Sequence, residues 1–439
     1  MKKLRFLAIF LSLAMLLSCA VAFADDHKDV TLSGWYLAVD GTAEAYEIWT
    51  DAVHEAYPWI SIELEGLTSD TIAEKFAVAC ATGTTPDLYI DGFSRCAPAV
   101  HAGLTVDLTD VIEANKDKFP GEQKDGCIDG RNYYVSYYDG APYCFVANMS
   151  LIEELGIADM LPADKEVWSY DQFLDFCRAA KAAKSDVIPT VLYAGSRSGD
   201  AWYYSWFLGN GAQITNDDLT HVVINEEENK AAALEVLDLY KTMIEEELVP
   251  AGAATLIDAD AESLFMGGNV IFYPTAYNKV PQMYNQMEAG QCVEFEVDAV
   301  ALPTAKGEAA PETVSWGSSG IIGFANNGHE EEVKLAIDML LKTPEARKAE
   351  IKARGTLSVM NDVVIDYATN DITAVMARAA DYGARCANSG FGIRESWWSD
   401  FRETFYVQLQ DFFVGNITAE QMLENWQTNA EAVVVAAQS

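Results

Sequence analysis

The sequence predicts an α/β protein folded into two lobes. Residues 30–39, 60–64 and 88–90 are apolar or alternating segments typical of strands, and helix-spaced apolar residues occupy 43–57 and 71–81 between them. This β-α-β-α-β order implies a parallel sheet with helices on its faces. About 415 residues would remain after removal of an export signal, which is too many for one hydrophobic core, so we expect a second lobe.

The first helix is predicted from the spacing of its apolar residues and from its start. Ala45, Trp49 and Val53 recur at helical intervals. Asp40 or Thr42 would cap this helix, because a short side chain with an oxygen can accept a hydrogen bond from a backbone amide of the first turn.

The chain from 76 to 95 leads into the first candidate binding loop. A Gly-Thr-Thr-Pro turn ends the second helix, and 88–90 follows as a short buried strand. Asp91, Ser94 and Arg95 lie directly after that strand. Because ligands of open α/β sheets bind outside the carboxyl ends of the strands, we expect this loop to contact a ligand.

Two extended segments predict crossings between the lobes. At 137–142 an Asp-Gly-Ala-Pro sequence interrupts an extended run, and the apolar strand at 297–302 stops at Pro303. The other predicted helices and strands lie at 150–155, 169–183, 201–208, 229–247, 262–266, 270–273, 320–324, 330–341, 372–382, 401–414 and 419–436.

The first 24 residues have the composition of an export signal. A basic start precedes an apolar core at 6–17, which is too short to span a membrane, and Ala22-Phe23-Ala24 forms a small-x-small cleavage pattern. Cleavage after Ala24 is favoured, and lipidation at Cys19 is the alternative. Either route places the protein outside the cytoplasmic membrane.

The charge balance limits the partners of the protein. The formal net charge is −38, and the signal carries three basic and no acidic residues, so the mature chain has about −41. This surplus argues against nucleic acid or an anionic membrane as a partner. It also disfavours a strongly anionic ligand unless arginines gather locally to hold one. The eight cysteines are irregularly spaced without a C-x-x-C pair, which favours buried apolar side chains over a metal site.

Several short motifs follow one another along the mature chain, at 81–88 (small-Gly-x-x-Pro-Asp), 145–151, 167–173, 264–270, 301–303 and 316–320. In this order they resemble the motifs of the extracytoplasmic solute-binding proteins of ABC importers, in the sugar-binding group typified by maltose-binding protein. Ala147 and Val270 depart from the family pattern at positions that serve packing, which leaves the fold expectation intact and the ligand open.

The resemblance implies a two-lobed periplasmic-binding-protein fold of type II with a hinge of three crossover segments. Lobe one would hold 25–140 and 300–326, and lobe two 141–299 and 327–439. The implied function is capture of a mono- or oligosaccharide and its delivery to the membrane permease subunits. A monomer without cofactor or metal is expected.

Three aspartates are candidate ligand contacts. Asp91 follows the strand at 88–90 and offers two acceptor oxygens to vicinal hydroxyls, although loop capping would also explain it. Asp40 ends the first strand, where helix capping is the alternative. Asp139 lies at the first crossing and is equally explained by a hinge turn. Asp87, in contrast, is expected to fix the turn.

Aromatic residues are the candidate stacking surfaces, since sugar rings present apolar C–H faces. Tyr277 follows a strand and is the best single candidate, and Trp202 begins a helix after a polar loop. Trp316 precedes Gly317, which would let a ligand approach the backbone. Of the adjacent pair Trp397 and Trp398, which point about 100° apart on a helix, one is expected in the core and one in the cleft.

The sequence gives little support for catalysis. The five histidines are scattered without a partner at metal-ligand spacing, and Arg197 stands where a Gly-x-Ser-x-Gly elbow needs its serine. Two alternatives stay open. The same fold can bind a polyamine, with aromatics around the cation and Asp91 or Asp139 neutralising it, or the chain can be a secreted carbohydrate-active enzyme with two facing carboxylates.

Overall fold

The computed structural model describes residues 27–438 except 120, 140–141, 196–198, 315–317, 326, 366–373, 379–381, 383–384, 386 and 389–390. The predicted signal at 1–24, including Cys19, and the candidates Trp316 and Gly317 therefore lie outside the described residues. The backbone of Asp139 is described, but its side chain is not.

The strands are, in chain order, β1 Val30–Leu37, β2 Ile60–Leu67, β3 Leu88–Gly92, β4 Cys127–Ile128, β5 Arg131–Asn132, β6 Val135–Asp139, β7 Tyr143–Asn148, β8 Ile188–Thr190, β9 Val270–Ala276, β10 Val297–Val300, β11 Thr313–Val314, β12 Ser318–Gly323, β13 Leu357–Ser358 and β14 Ala387–Asn388. The α-helices are α1 Thr42–Ala56, α2 Ser69–Thr82, α3 Phe93–His101, α4 Thr109–Ala114, α5 Met149–Glu154, α6 Tyr170–Ala183, α7 Asp200–Gly209, α8 Glu227–Glu245, α9 Asp258–Met266, α10 Lys279–Glu288, α11 Glu330–Lys342, α12 Pro344–Arg354, α13 Trp398–Phe413 and α14 Ala419–Ala436.

Lobe one is built on a six-stranded sheet in the spatial order β13-β6-β12-β3-β1-β2. β1 pairs in parallel with β2 and with β3, which confirms the parallel start predicted from the sequence. β12 returns to this sheet later in the chain and runs antiparallel to both β3 and β6. Because β2, β1 and β3 are parallel neighbours, their carboxyl ends lie on the same side of the sheet. Asp91 lies near the carboxyl end of β3.

α1 packs its apolar face against the core of lobe one. Trp49 is fully buried on the face of α1 and donates a hydrogen bond from Nε1 to the backbone oxygen of Ala336, at 2.8 Å.

The predicted side-chain cap of α1 is wrong. Gly41 occupies the cap position with a φ of 85° and Asp40 is exposed, while the hydroxyl of Thr42 donates back to the oxygen of Val39.

Lobe two contains a four-stranded sheet in the order β10-β7-β9-β8. β8 and β9 are parallel, while β7 is antiparallel to β9 and to β10. Its core is aromatic: the ring of Phe145 stacks on that of Phe173 at 5.5 Å, and Trp168 packs edge-on against Phe272. The long aromatic side chains thus fill the space between this sheet and the helices around it.

The observed lobe boundaries differ from the predicted ones in two places. Residues 330–363 were expected in lobe two, but α11 and α12 bury Val333, Ile337 and Ile351 in the core beneath the lobe-one sheet. Residues 300–314 were expected in lobe one, but β11 pairs with β14, and Thr313 Oγ1 donates to the oxygen of Tyr143 in lobe two. An apolar helix or strand fits either core, so its composition does not reveal which lobe it joins.

The chain crosses between the sheets at three places. The first crossing lies between the end of β6 and the start of β7, as predicted. The second lies between β11 and β12, later than the predicted position at 303. The third lies beyond Val363, which packs in the lobe-one core, and before Val375, which packs in the lobe-two core.

Five cysteines within the described residues are free thiols, namely Cys80, Cys96, Cys127, Cys177 and Cys292. Cys96, Cys144 and Cys177 are buried, as expected for small apolar side chains. Among the described helices, none combines the length and the apolar composition needed to cross a bilayer.

A candidate binding site between the lobes

The predicted loop at 91–95 is wrong, because β3 continues to Gly92 and α3 begins at Phe93. The end of β3 and the first turn of α3 hold a buried carboxylate and a partly exposed guanidinium. Asp91 is buried and accepts hydrogen bonds from the Tyr89 hydroxyl at 2.9 Å and from the Gly92 amide at 2.7 Å. Nη1 of Arg95 lies 2.9 Å from one oxygen of Asp91 and 3.0 Å from the other. Because α3 begins at Phe93, Arg95 stands in its first turn, four residues from Asp91. The Asp91 carboxylate raises the pKa of Arg95 and fixes its side chain.

Lobe two contains a second pair of the same kind. Asp200 is the first residue of α7 and is fully buried. Nε and Nη2 of Arg402, in α13, both donate to its carboxylate, and Nη2 lies 2.9 Å from Oδ1. Burial alone would lower the pKa of Arg402, but the Asp200 carboxylate raises it above its ordinary value. A bidentate pair of this geometry is among the strongest side-chain hydrogen bonds, so Arg402 is held in one orientation.

A third pair joins the two lobes directly. Arg394, next to the lobe-two core residue Ile393, forms an ion pair with the buried Asp125 of lobe one. Asp125 also accepts a hydrogen bond from the hydroxyl of Ser318, at the start of β12. Nε2 of His101 lies 3.2 Å from the backbone oxygen of Arg394. The lobes are therefore in contact on this side of the interface.

A shared neighbour connects the first pair to the third. The Tyr134 hydroxyl lies 2.9 Å from the backbone oxygen of Asp91 and 3.2 Å from that of Ser318. The positive charge of Arg402 acts to lower the pKa of Arg95, against the larger raising effect of Asp91.

A separate polar group in lobe two connects α9, β9 and the start of α10. Lys279 Nζ is 2.6 Å from an oxygen of Glu262, and the Tyr273 hydroxyl donates to Asp258 at 2.5 Å. Burial raises the pKa of Asp258, although the Tyr273 hydrogen bond acts in the opposite direction. Tyr193 donates to the oxygen of Pro274 at 2.9 Å. The Lys279–Glu262 pair thus ties α10, which begins two residues after Tyr277, to α9.

The structure places the predicted polar candidates as follows. Asp91, Ser94 and Arg95 stand together at the carboxyl end of β3, with Ser94 half-buried. Asp40 lies exposed on the turn between β1 and α1. Asp87 is structural, as predicted: its carboxylate accepts hydrogen bonds from the amide and hydroxyl of Ser33 at 2.7 and 2.9 Å.

The aromatic candidates are more deeply buried than predicted. The placement of Trp202 on the cleft wall is wrong, because the residue is fully buried and its ring stacks on Tyr203 at 3.8 Å in the lobe-two core. Trp398 is the core member of its pair and stacks on Phe401 at 5.5 Å. Trp397 and Tyr277 are also buried, and their stacking on a ligand stays a prediction.

Sequence reasoning missed Asp200, Asp125 and Arg402. Asp200 and Arg402 are 202 residues apart, so no local spacing could have paired them. The available signal was the polar loop before α7, which ends at Asp200.

Comparisons with known proteins agree with this architecture. The family model for bacterial extracellular solute-binding proteins matches residues 40–347. A protein of Brucella abortus described as a binding protein is 23% identical over 383 residues, which cover 86% of each chain.

Three solved structures share the fold. The GacH receptor of Streptomyces glaucescens, solved unliganded and with acarbose, has a TM-score of 0.73 at 12% identity, covering 92% of this chain and 98% of its own. An ABC substrate-binding protein of Listeria monocytogenes in complex with cycloalternan has 0.71 at 18%, covering 92% and 98%. A maltose-bound protein of T. maritima has 0.71 at 17%, covering 92% and 99%. At these identities the likeness establishes the fold.

Proposed function

Because the chain belongs to the bacterial extracellular solute-binding proteins, we propose that it captures a carbohydrate between its lobes and delivers it to the permease of an ABC importer. The structurally similar proteins were solved with acarbose, cycloalternan and maltose, which supports a sugar as the ligand. The protein would act as a monomer outside the cytoplasmic membrane. Its N-terminal segment would be an export signal cleaved after Ala24, or would be lipidated at Cys19.

The observation that carries this proposal is that the two lobes meet through an ion pair, between Asp125 of lobe one and Arg394 of lobe two. Each lobe also holds an arginine on a buried aspartate, Arg95 on Asp91 and Arg402 on Asp200. A ligand bound between the lobes would contact both of them at once. Because three chain segments cross between the lobes, closure around such a ligand can occur by a hinge motion that leaves each core intact.

The burial of Asp91 and Asp200 supports a protein that binds a carbohydrate without cleaving it. A glycosidase needs two accessible carboxyl groups on opposite sides of the scissile bond. Asp91 and Asp200 are both buried and both held by arginines. The same pairing weakens the role of Asp91 in the polyamine alternative, because the Arg95 guanidinium already neutralises the Asp91 carboxylate.

Isothermal titration calorimetry against a broad panel of mono- and oligosaccharides tests the proposal. We expect one class of sugar to bind with one-to-one stoichiometry and to be recovered unchanged by mass spectrometry. A ligand present at 100 times its dissociation constant should stabilise the folded protein by about 2.7 kcal/mol. Absence of binding across the panel, with a cooperative thermal transition showing that the protein is folded, would refute the sugar assignment.

A further inference from the structure

Residues 391–397 form a turn of lobe two that touches lobe one, and we refer to them as the Arg394 turn. The amide of Glu395 donates to the backbone oxygen of Gly392 at 2.9 Å, so Ile393 and Arg394 lie at the tip. Ile393 is buried in the lobe-two core, whereas the side chain of Arg394 is 39% exposed. Arg394 is therefore the tip residue that is presented to lobe one.

The Arg394 turn is fixed to lobe two on both sides of its tip. On one side the ring of Phe391 packs edge-on against Tyr204 at 5.6 Å, and Thr215 Oγ1 donates to the backbone oxygen of Phe391 at 3.3 Å. On the other side Trp397 is buried and its ring lies 5.4 Å from that of Phe401. Because both ends are held in one core, the turn moves with lobe two as a unit.

Arg394 contacts two separate elements of lobe one. Its guanidinium forms the ion pair with Asp125, which precedes β4, and its backbone oxygen lies 3.2 Å from Nε2 of His101, the last residue of α3. A carbonyl oxygen only accepts, so His101 is the donor. His101 and Arg394 are 293 residues apart, and the contact thus joins the lobes through space and not along a crossing segment.

The burial of Asp125 makes the contact resist separation of the lobes. Asp125 is 6% exposed, and its carboxylate also accepts from the hydroxyl of Ser318, where the second crossing enters lobe one. Movement of the Arg394 turn away from lobe one would remove the cationic partner of this carboxylate, which is costly for a buried charge. Since both lobes carry more acidic than basic residues, their long-range repulsion acts in the opposite direction.

We propose that the Arg394 turn is a strap that holds the two lobes together independently of a bound solute. Asp125 and His101 are its attachment points on lobe one. The inference deepens the proposed function, because a strap that favours the closed arrangement supplies part of the free energy of closure, and less must then come from contacts with the sugar.

Small-angle X-ray scattering of the full chain, without added sugar, tests the strap. Each protein is first unfolded, dialysed and refolded to remove any solute that co-purifies. Asp125→Asn keeps the shape of the side chain and removes its charge, and Arg394→Gln removes the partner. Each should shift the radius of gyration to a larger value. The double variant should not expand further, because either substitution alone already breaks the pair.

Salt and two further variants separate the strap from a general effect on stability. The difference in radius between wild type and Asp125→Asn should shrink from about 0.1 to about 1 M salt, since a partly exposed ion pair is screened. His101→Ala removes the second attachment and should also expand the protein, which keeps the test available if a charge variant does not fold. Arg178→Gln is the control, because Arg178 pairs with Glu246 inside lobe two. Its radius should match the wild type.

The outcomes distinguish the strap from the sugar assignment. Expansion of the single variants without further expansion of the double variant supports the strap. Radii equal to that of the wild type, in folded variants, overturn it and leave the proposed function as it stands. Additive expansion in the double variant shows that Asp125 and Arg394 act separately, which also overturns the strap. If the variants expand but calorimetry finds no sugar, the strap stands and the sugar assignment is refuted.

Discussion

At the residue scale, the two members of the Asp91–Arg95 pair differ in their access to water. Asp91 is buried at the end of β3, while the side chain of Arg95 is partly exposed. Removing one partner of an ion pair costs most when the remaining charge stays buried. The pair therefore predicts unequal effects of its two substitutions.

We expect Arg95→Ala to be more destabilising than Asp91→Asn. Arg95→Ala leaves a buried carboxylate with only the Tyr89 hydroxyl and the Gly92 amide, at a cost of about 3–5 kcal/mol. Asp91→Asn leaves a guanidinium that can reach water, at a cost of about 1–2 kcal/mol. Denaturant unfolding of both variants, with Arg178→Ala as the exposed control, measures the difference. Equal destabilisation, or a larger effect of Asp91→Asn, would contradict the assignment.

Individual residues also show what the sequence can reveal about a site. The place of Asp91, Ser94 and Arg95 at the carboxyl end of a strand followed from local order, although α3 begins directly after β3 where the sequence predicted a loop. The burial of Trp202 could not be predicted from local order. A tryptophan after a polar loop can face a cleft or a core, and here the packing of Tyr203 and Tyr240 against it places it in the core.

At the element scale, Asp87 ties β3 to its surroundings. One oxygen accepts from Ser33 of β1, and the other accepts from Asn327 at 3.1 Å and lies 3.0 Å from His329 Nδ1. Burial alone would raise the pKa of Asp87, but the hydrogen bonds from Ser33, His329 and Asn327 together lower it. The carboxylate thus joins two strands and the segment that leads into α11.

This lowered pKa predicts a loss of stability in acid. A carboxyl group whose pKa is lower in the folded state stabilises the protein above its unfolded pKa of about 3.9, and this contribution is lost as the pH falls through the folded value. Asp87→Asn should cost about 1–3 kcal/mol at pH 7, and its difference from wild type should shrink below about pH 4.

Urea unfolding at a series of pH values from neutral to acid measures this effect. Asp175→Asn is the control, because Asp175 is exposed and its pair with Arg178 contributes little. If the cost of Asp87→Asn stays constant across the series, the stabilisation does not come from the carboxylate.

The helices predicted best are those whose capping residues lie together in the sequence. Ser169 and Gln172 form the reciprocal cap at the start of α6, and the sequence Ser-x-x-Gln already contains both partners. The start of α1 was predicted within one residue, but its side-chain cap was not observed, because Gly41 in a left-handed conformation occupies the cap position. The lobe to which α11 and α12 belong was missed as well, since their burial against β1, β12 and α1 depends on contacts distant in sequence.

At the scale of the whole molecule, the lobes also meet where α12 ends. Gly355 has a φ of 67°, and its Cα faces the backbone oxygen of Asn278 at the start of α10 in lobe two. A Cβ added there would lie 2.4 Å from that oxygen and 3.1 Å from Pro281. Because the oxygen belongs to the backbone, it cannot rotate away, so the lobes would have to separate.

Gly355→Ala should therefore shift the protein towards a more open arrangement of its lobes. Gly83 provides a matched control, because it ends α2 with nearly the same φ of 68° and an added Cβ would meet nothing within 4 Å. Both alanine variants carry the same left-handed strain, about 1–2 kcal/mol. Only Gly355→Ala adds a clash between the lobes. The difference between the two variants thus isolates the interlobe contact from the backbone cost.

Small-angle X-ray scattering of the two variants and the wild type measures this difference. We expect a larger radius of gyration for Gly355→Ala than for Gly83→Ala, whose value should match the wild type. Once a ligand is identified, Gly355→Ala should bind it more weakly, since closure around the ligand must then overcome the clash, whereas Gly83→Ala should lose stability without losing affinity. Equal radii and equal affinities for the two variants would show that this contact does not limit closure.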